Sequence, residues 1–546
     1  MKKICTVSGV EFELTQEEIT RRKELGASLP ALCPAERMRR RLMFRNEHTL
    51  FRRKCNGSGK TVISLYPPEF KNTVYDNEYW WSDNWDPKKF GREFDFNRPF
   101  FEQFRELWNE VPKMARIQQG ESENSTFTNA VSDLKNCYLV FSTAEAEDCL
   151  YCTSCEFSRD CVDCRWVLNS ELMYECTDCS KCYSCLHGQR LRHCTDTHWS
   201  SDCIGCTNCF ACVGLRKKEF HILNKPCCKK EWNELLASKQ KQTEVLQQLR
   251  KIYLQTPRKY AEILQSENCT GDFLLRSKNA HECWDCFDIE DCQYCDGVRN
   301  VHHCLDVSFY GCTNSSYLFN CEACGHGATE IMGSKLVWGG SHDVAHSYEC
   351  FASNNLLGCC GLKKSEYCIL NKQYSKEEYF ELYKKIQKHM QKTGEWGEFF
   401  PPEMSPFAYN DTMAHDYLPI TKEEVIQNGW RWRDEEKSAL YDGPRVQIPE
   451  QIEDIQDDIC EKILTCKATG KNYRIQKSEL KFYRKMNLPI PKICPDERYS
   501  RRTILRNPRK LFERTCDNCN VDIQTTFAPE RPEKIYCETC YQNELN

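Results

Sequence analysis

The chain has 546 residues, 40 of them cysteine, and a formal net charge of −5. That length allows roughly three or four domains, and a 40% hydrophobic fraction excludes a wholly disordered chain. The near-neutral charge excludes a global basic field, so binding a nucleic-acid backbone would need a local patch, and nothing approaches the roughly 18 apolar residues of a membrane span.

Met1-Lys2-Lys3-Ile4-Cys5-Thr6 is not followed by an apolar run of signal-peptide length. A cytoplasmic protein without a membrane partner is therefore expected. Thiols stay reduced in that compartment, so clustered cysteines read as metal ligands or buried small side chains before disulfides.

Residues 1–66 form a first finger-like unit. Cys5, Gly9, Cys33, Pro34, Glu36, Arg37, Arg40, Arg41, Arg45 and Cys55 recur without a gap as Cys466, Gly470, Cys494, Pro495, Glu497, Arg498, Arg501, Arg502, Arg506 and Cys516. The two ends of the chain are thus copies. The arginines fall at i, i+3, i+4 of a predicted helix, which makes them either a solvated face partly paired to Glu36 or Glu497 or a phosphate-contacting patch. Residues 67–125 are an aromatic linker with Trp80, Trp81, Trp85, Phe100, Phe101 and Trp108. Its many acidic residues would repel a nucleic-acid backbone, so it reads as a lid over an open coil end.

Residues 126–229 repeat cysteine every nine positions, at 176, 185, 194, 203 and 212. CxxCxxC triplets at Cys149-Cys152-Cys155, Cys176-Cys179-Cys182 and Cys203-Cys206-Cys209 recur at three times that step. A nine-residue period is too short for a helical solenoid. It fits one face of a parallel β-coil, and the 27-residue recurrence favours three faces per turn. Residues 230–266 read as a helix. Residues 267–374 are a second block with the same step, from Cys283 to Cys292, Cys286 to Cys295 to Cys304, Cys312 to Cys321, and Cys350 to Cys359 to Cys368. Cys212-Val-Gly-Leu and Ile222-Leu-Asn-Lys225 return as Cys359-Cys-Gly-Leu and Ile369-Leu-Asn-Lys372, so the blocks are also copies. Stacked turns lie about 4.8 Å apart, close enough for thiolates of two turns to share a zinc at about 2.3 Å. Thiols packed as small core groups are the other reading, and Gly297, Val298 and Ala323 at ligand-equivalent places favour it. The last spacings do not suit an iron–sulfur cluster.

A second helix is predicted at 375–392, opened by a capping box of Ser375 and Glu378, followed by a linker at 393–459. Residues 460–546 end in Cys516-x2-Cys519-x17-Cys537-x2-Cys540. Two CxxC knuckles at that distance let four thiolates close around one structural zinc. The first finger places Ser58, Asp76 and Tyr79 where three of these ligands would stand, so it is expected to be zinc-free. At Cys466/Cys494 and Cys5/Cys33, Thr469, Glu497, Ser8 and Glu36 replace the second cysteine of each knuckle. That spacing resembles small bacterial zinc-ribbon domains of the pattern CxxCG…FY…P…CxxCR.

The expected fold is multidomain and mainly β with helices: two short Cys-rich parallel β-helix-like blocks flanked by zinc-ribbon-like terminal domains. No phosphate loop, HExxH motif or recurring acidic cluster is present, so catalytic residues are not assigned. The chain as a whole resembles the uncharacterised, Cys-rich zinc-ribbon proteins of small-genome bacteria through its duplicated ends and blocks, and that resemblance implies no established activity. The expected function is a zinc-binding, non-enzymatic scaffold that recognises another macromolecule, protein or nucleic acid. Metal handling or thiol redox chemistry through the cysteine ladders, and nucleic-acid binding through the arginine faces, are the alternatives.

Overall fold

A computed structural model describes residues 1–311, 314–434 and 446–545. Cys312 of the expected Cys312–Cys321 step, and residues 435–445 of the linker, lie outside them. The fold is mainly β with helices, and its parallel strands form two coils.

In the first coil Arg165 pairs in parallel with Thr177, and Glu171 with Tyr183. Each position therefore stacks on the one at i+12, and one turn of the coil is a 12-residue unit. Within it every third residue takes a left-handed backbone: Asp148, Tyr151, Ser154, Phe157 and Asp160 have φ between 50° and 57°. Four such corners divide a turn into four three-residue sides. This corrects the expected nine-residue face and 27-residue turn. Inward positions recur every three residues, and nine and 27 are both multiples of three.

Three residues at about 3.3 Å each make a side roughly 10 Å long. Four inward side chains must share that narrow interior, so small ones are required: Cys176, Cys179, Cys182 and Cys185 fill one turn, all buried. Size alone would also admit alanine or valine. The thiol adds hydrogen bonding in both directions. Cys152 Sγ lies 3.2 Å from the Leu150 carbonyl and 3.3 Å from that of Cys161, and donates toward them. Cys176 Sγ accepts from the Gly188 N–H at 3.4 Å, one turn on. Hydroxyls do the same: Thr143 accepts from the Cys155 N–H at 3.1 Å and Ser170 from the Cys182 N–H at 3.0 Å. Inward N–H groups thereby reach a side-chain acceptor on the preceding turn, which a buried donor requires.

The second coil opens on an 11-residue turn, with Ile263 paired to Leu274, and then takes the 12-residue turn, with Gly271 paired to Cys283. It then lengthens. Leu305 pairs with Phe319, a 14-residue turn, and Thr329 with His342, a 13-residue turn, before Asn354 and Glu366 restore the original length.

The terminal units share one element order. Helices Gln16–Glu24 and Pro34–Leu42, hairpin Phe51–Lys54 with Thr61–Ser64, strand Val74–Tyr75 and helix Asn77–Trp81 correspond to Lys477–Lys485, Pro495–Ile504, Phe512–Thr515 with Asp522–Thr525, Ile535–Tyr536 and Glu538–Leu545. The correspondence runs past residue 66 to the end of the Asn77–Trp81 helix. Between the coils, the stretch expected as one helix at 230–266 is two, Lys229–Ala237 and Lys239–Gln255, followed by short strands Arg258–Lys259 and Ile263–Leu264. The break falls at Ser238, which caps the second helix through the Lys241 N–H at 3.3 Å. Helix Lys376–Thr393 begins at the expected capping box of Ser375 and Glu378.

The aromatic linker lies along the flank and last turn of the second coil. Trp80 and Trp81 pack on Phe351, with ring centroids 5.6 and 5.0 Å apart. Asn371 of the final turn donates to the Pro87 carbonyl at 3.0 Å. Among the described residues no helix is long and apolar enough to cross a membrane.

Candidate metal centre

The C-terminal hairpin turns at Cys516–Asn520. The Asn520 N–H returns to the Cys516 carbonyl at 2.9 Å, with Asn520 left-handed at φ 58°. This tight knuckle turns the Cys516 and Cys519 thiols the same way. Strand Ile535–Tyr536 delivers the second pair: the Cys537 N–H donates to Cys516 Sγ at 3.3 Å, and Cys519 and Cys537 Sγ stand 3.7 Å apart.

All four sulfurs, of Cys516, Cys519, Cys537 and Cys540, lie within 4.8 Å of one another. Four thiolates bound tetrahedrally at about 2.3 Å would be separated by about 3.8 Å, so the donor set fits a four-coordinate thiophilic ion. Among the described residues this is the one group of His, Cys, Asp or Glu side chains so arranged. Burial opposes ionisation of Cys516, but the N–H groups of Cys537, Cys519 and Asn518 outweigh it and lower its pKa to about 6. A thiolate at this position is what a metal needs.

The N-terminal copy keeps the frame without the donors. Asp76 and Ser58 N–H groups both donate to Cys55 Sγ at 3.2 Å. The Ser58 hydroxyl donates to the Asp76 carboxylate, which also caps the next helix through the Tyr79 N–H at 2.8 Å. Hydrogen bonds link the elements here, where four cysteine sulfurs converge in the other copy. At the upstream knuckles the structure brings only two cysteines together in each copy. Ser8 Oγ lies 3.8 Å from Cys33 Sγ and Thr469 Oγ1 3.7 Å from Cys494 Sγ. Glu36 pairs with Arg39 at 3.0 Å and Glu497 with Arg501 at 2.8 Å.

The described ladder cysteines form no such group. Burial pushes Cys368 up to about 11 and Cys350 and Cys359 well above the ordinary thiol value, whereas side-chain hydrogen bonds with Cys149 and Cys164 lower Cys161 to about 6.

The arginine faces point into the molecule. Arg37 reaches Asp306 at 2.8 Å and Glu18 at 3.2 Å, and Arg41 reaches Asp306 at 3.2 Å. In the other copy Arg498 reaches Asp163 at 2.6 Å and Glu479 at 3.2 Å, and Arg502 reaches Asp163 at 2.6 Å. These four arginines are buried, so they are not the surface patch that the helical spacing allowed. Arg40 is also turned inward, to Glu398 at 2.8 Å, which leaves Arg501 as the exposed member.

The carboxylate partners Asp163 and Asp306 occupy equivalent left-handed corners of the two coils. Tyr151 and Tyr294, separated by the same offset in sequence, lie under Arg498 and Arg37 at 4.4 and 4.9 Å. The signal for these partners was present as that shared offset, but it shows only once a corner residue is known to point outward. Protein-family models, curated proteins and solved structures contain no match to the chain.

Proposed function

We propose that the protein is a zinc-stabilised, non-enzymatic scaffold that recognises another macromolecule. The observation that carries the zinc reading is the convergence of Cys516, Cys519, Cys537 and Cys540 within 4.8 Å. Such a set has no open coordination position, so the metal would order the terminal domain and would do no chemistry on a substrate. On this reading the domain is a zinc ribbon, and the chain is a duplicated one related to the Cys-rich zinc-ribbon proteins that it resembles.

The hydrogen bonding of the ladder thiols supports a structural role for them over metal handling or redox exchange. Nucleic-acid binding through the arginine faces has lost its support, because Arg37, Arg41, Arg498 and Arg502 already neutralise internal carboxylates. A protein partner is the better reading.

The test is purification with and without zinc of the wild type and of a Cys516→Ser, Cys537→Ser variant, followed by elemental analysis and pull-down. The wild type is expected to carry zinc and the variant to lose it. A variant with the wild-type metal content would refute the assignment of the site.

A further inference from the structure

We propose that the groove between helix Lys376–Thr393 and the second coil binds a small alkylammonium cation. The groove has a volume of about 460 Å3, and its walls include Tyr317, Phe380, Tyr383, Trp396, Glu330 and Asp343. Tyr317 is 56% and Phe380 41% exposed, an unusual degree of exposure for large rings on opposite walls of a cleft. Tyr383 and Trp396 meet edge to face with centroids 5.8 Å apart, which holds the inner wall rigid.

The acidic side comes from coil geometry. Ser316 pairs with Thr329 and Thr329 with His342. The next residues, Tyr317, Glu330 and Asp343, are therefore stacked on three successive turns, each at a left-handed corner with φ of 54°, 56° and 54°. Turns are about 4.8 Å apart, so two carboxyl groups are held side by side next to an aromatic face. The hydrogen bond between them, then partial burial and the neighbouring negative charge, raise the Glu330 pKa. The basic side chains around them are His342, which reaches Asp343 at 2.9 Å, Lys384 on the helix wall, and His303, which stacks on one face of the Tyr317 ring at 5.2 Å.

Aromatic faces attract cations through their quadrupoles, and neighbouring carboxylates add charge and accept N–H bonds. An anion would be repelled, and a neutral apolar ligand would leave the carboxyl groups desolvated. The equivalent column of the first coil is Leu172, Ser184 and Asp196, at the same corners with φ of 57°, 54° and 44°. It lacks the ring and one carboxylate, so the groove is not a by-product of the coil.

The test is calorimetric titration of the full-length, zinc-loaded protein with choline and with its neutral isostere 3,3-dimethylbutan-1-ol. Saturable binding of choline but not of the alcohol is expected, weakened about tenfold, which is about 1.4 kcal/mol, by Glu330→Gln and by Phe380→Ala. Both side chains are exposed, and near-ultraviolet circular dichroism verifies that the variants are folded. Equal binding of choline and alcohol, choline binding that both substitutions leave unchanged, or no saturable binding in the millimolar range would overturn the proposal.

Discussion

Cys176 shows what a cysteine does in this coil: it accepts from the Gly188 N–H at 3.4 Å and donates to the Tyr174 carbonyl at 3.4 Å. Serine preserves both roles and alanine neither. Cys176→Ala is therefore expected to cost about 1–3 kcal/mol, the penalty of a buried unpaired donor, and Cys176→Ser less, as read from urea midpoints. An alanine variant as stable as the serine one would show that the thiol is only a space-filler. At a corner of the second coil, Asp285 lies 2.7 Å from Arg509. Burial opposes its charge, but Arg506 and Arg509 lower its pKa to about 2. A depressed carboxylate stabilises above its unfolded value of about 3.9 and loses that contribution as pH falls through its folded value. Asp285→Asn should flatten the acid dependence of stability between about pH 4 and pH 2; an unchanged slope would contradict the pairing. The clustering of Cys516, Cys519, Cys537 and Cys540 was legible because CxxC spacing encodes a local turn. The partners of the arginines were not, because their pairing crosses 335 residues in one case and 269 in another.

Each terminal domain is tied to both coils. Strand Ile535–Tyr536, which leads into Cys537, pairs in parallel with Arg258–Lys259 before the second coil, while Arg498 and Arg502 of the same domain dock on Asp163 of the first. In the N-terminal copy, Val74–Tyr75 pairs with Lys113–Met114 before the first coil, and Arg37 and Arg41 dock on Asp306 of the second. Metal removal should consequently do more than loosen a knuckle. A zinc chelator is expected to raise hydrogen exchange at 535–536 and at 258–259 together, and to leave 74–75 and 113–114 protected; a uniform rise would contradict a local role for the metal. The copy that lacks the donors keeps the frame, so Ser58→Cys, Asp76→Cys, Tyr79→Cys should bind one further metal ion per chain. The sequence comparison of the ends showed this duplication, since gapless alignment needs no structural knowledge. It did not show the break at Ser238 or the short strands after it: the local stops, the Ser238 cap and Pro257 after Gln255, are weak against the helical propensity of a charged stretch, and the strands exist through pairing with 535–536 and with 274–275.

At the scale of the whole molecule, the two coils face each other about an approximate twofold relation. Glu156 of the first coil pairs with Arg299 of the second, and these two positions are themselves equivalent, at the offset that relates Asp163 to Asp306. Arg506 joins Asp178 of the first coil at 3.0 Å to Asp285 of the second at 3.1 Å. Its counterpart Arg45 joins Ser142 at 3.0 Å to Glu322 at 2.9 Å. The offset between the copies grows along the chain, by two from the pair Asp163 and Asp306 to Cys176 and Cys321, and by two more to Cys212 and Cys359. One 14-residue and two 13-residue turns supply that growth. The nine-residue step revealed that the blocks are coils but misled about their turn, because a period of three is compatible with turns of nine, 12 or 27. Only the parallel register decides among them. The central claim is that the cysteine ladders are hydrogen-bonded structure and that metal binding resides in the four C-terminal thiols. Zinc content of the purified full-length chain, measured by elemental analysis, tests it most directly. About one zinc ion per chain, the capacity of one four-thiolate site, is the predicted result; four or more per chain, retained in the Cys516→Ser, Cys537→Ser variant, would contradict it.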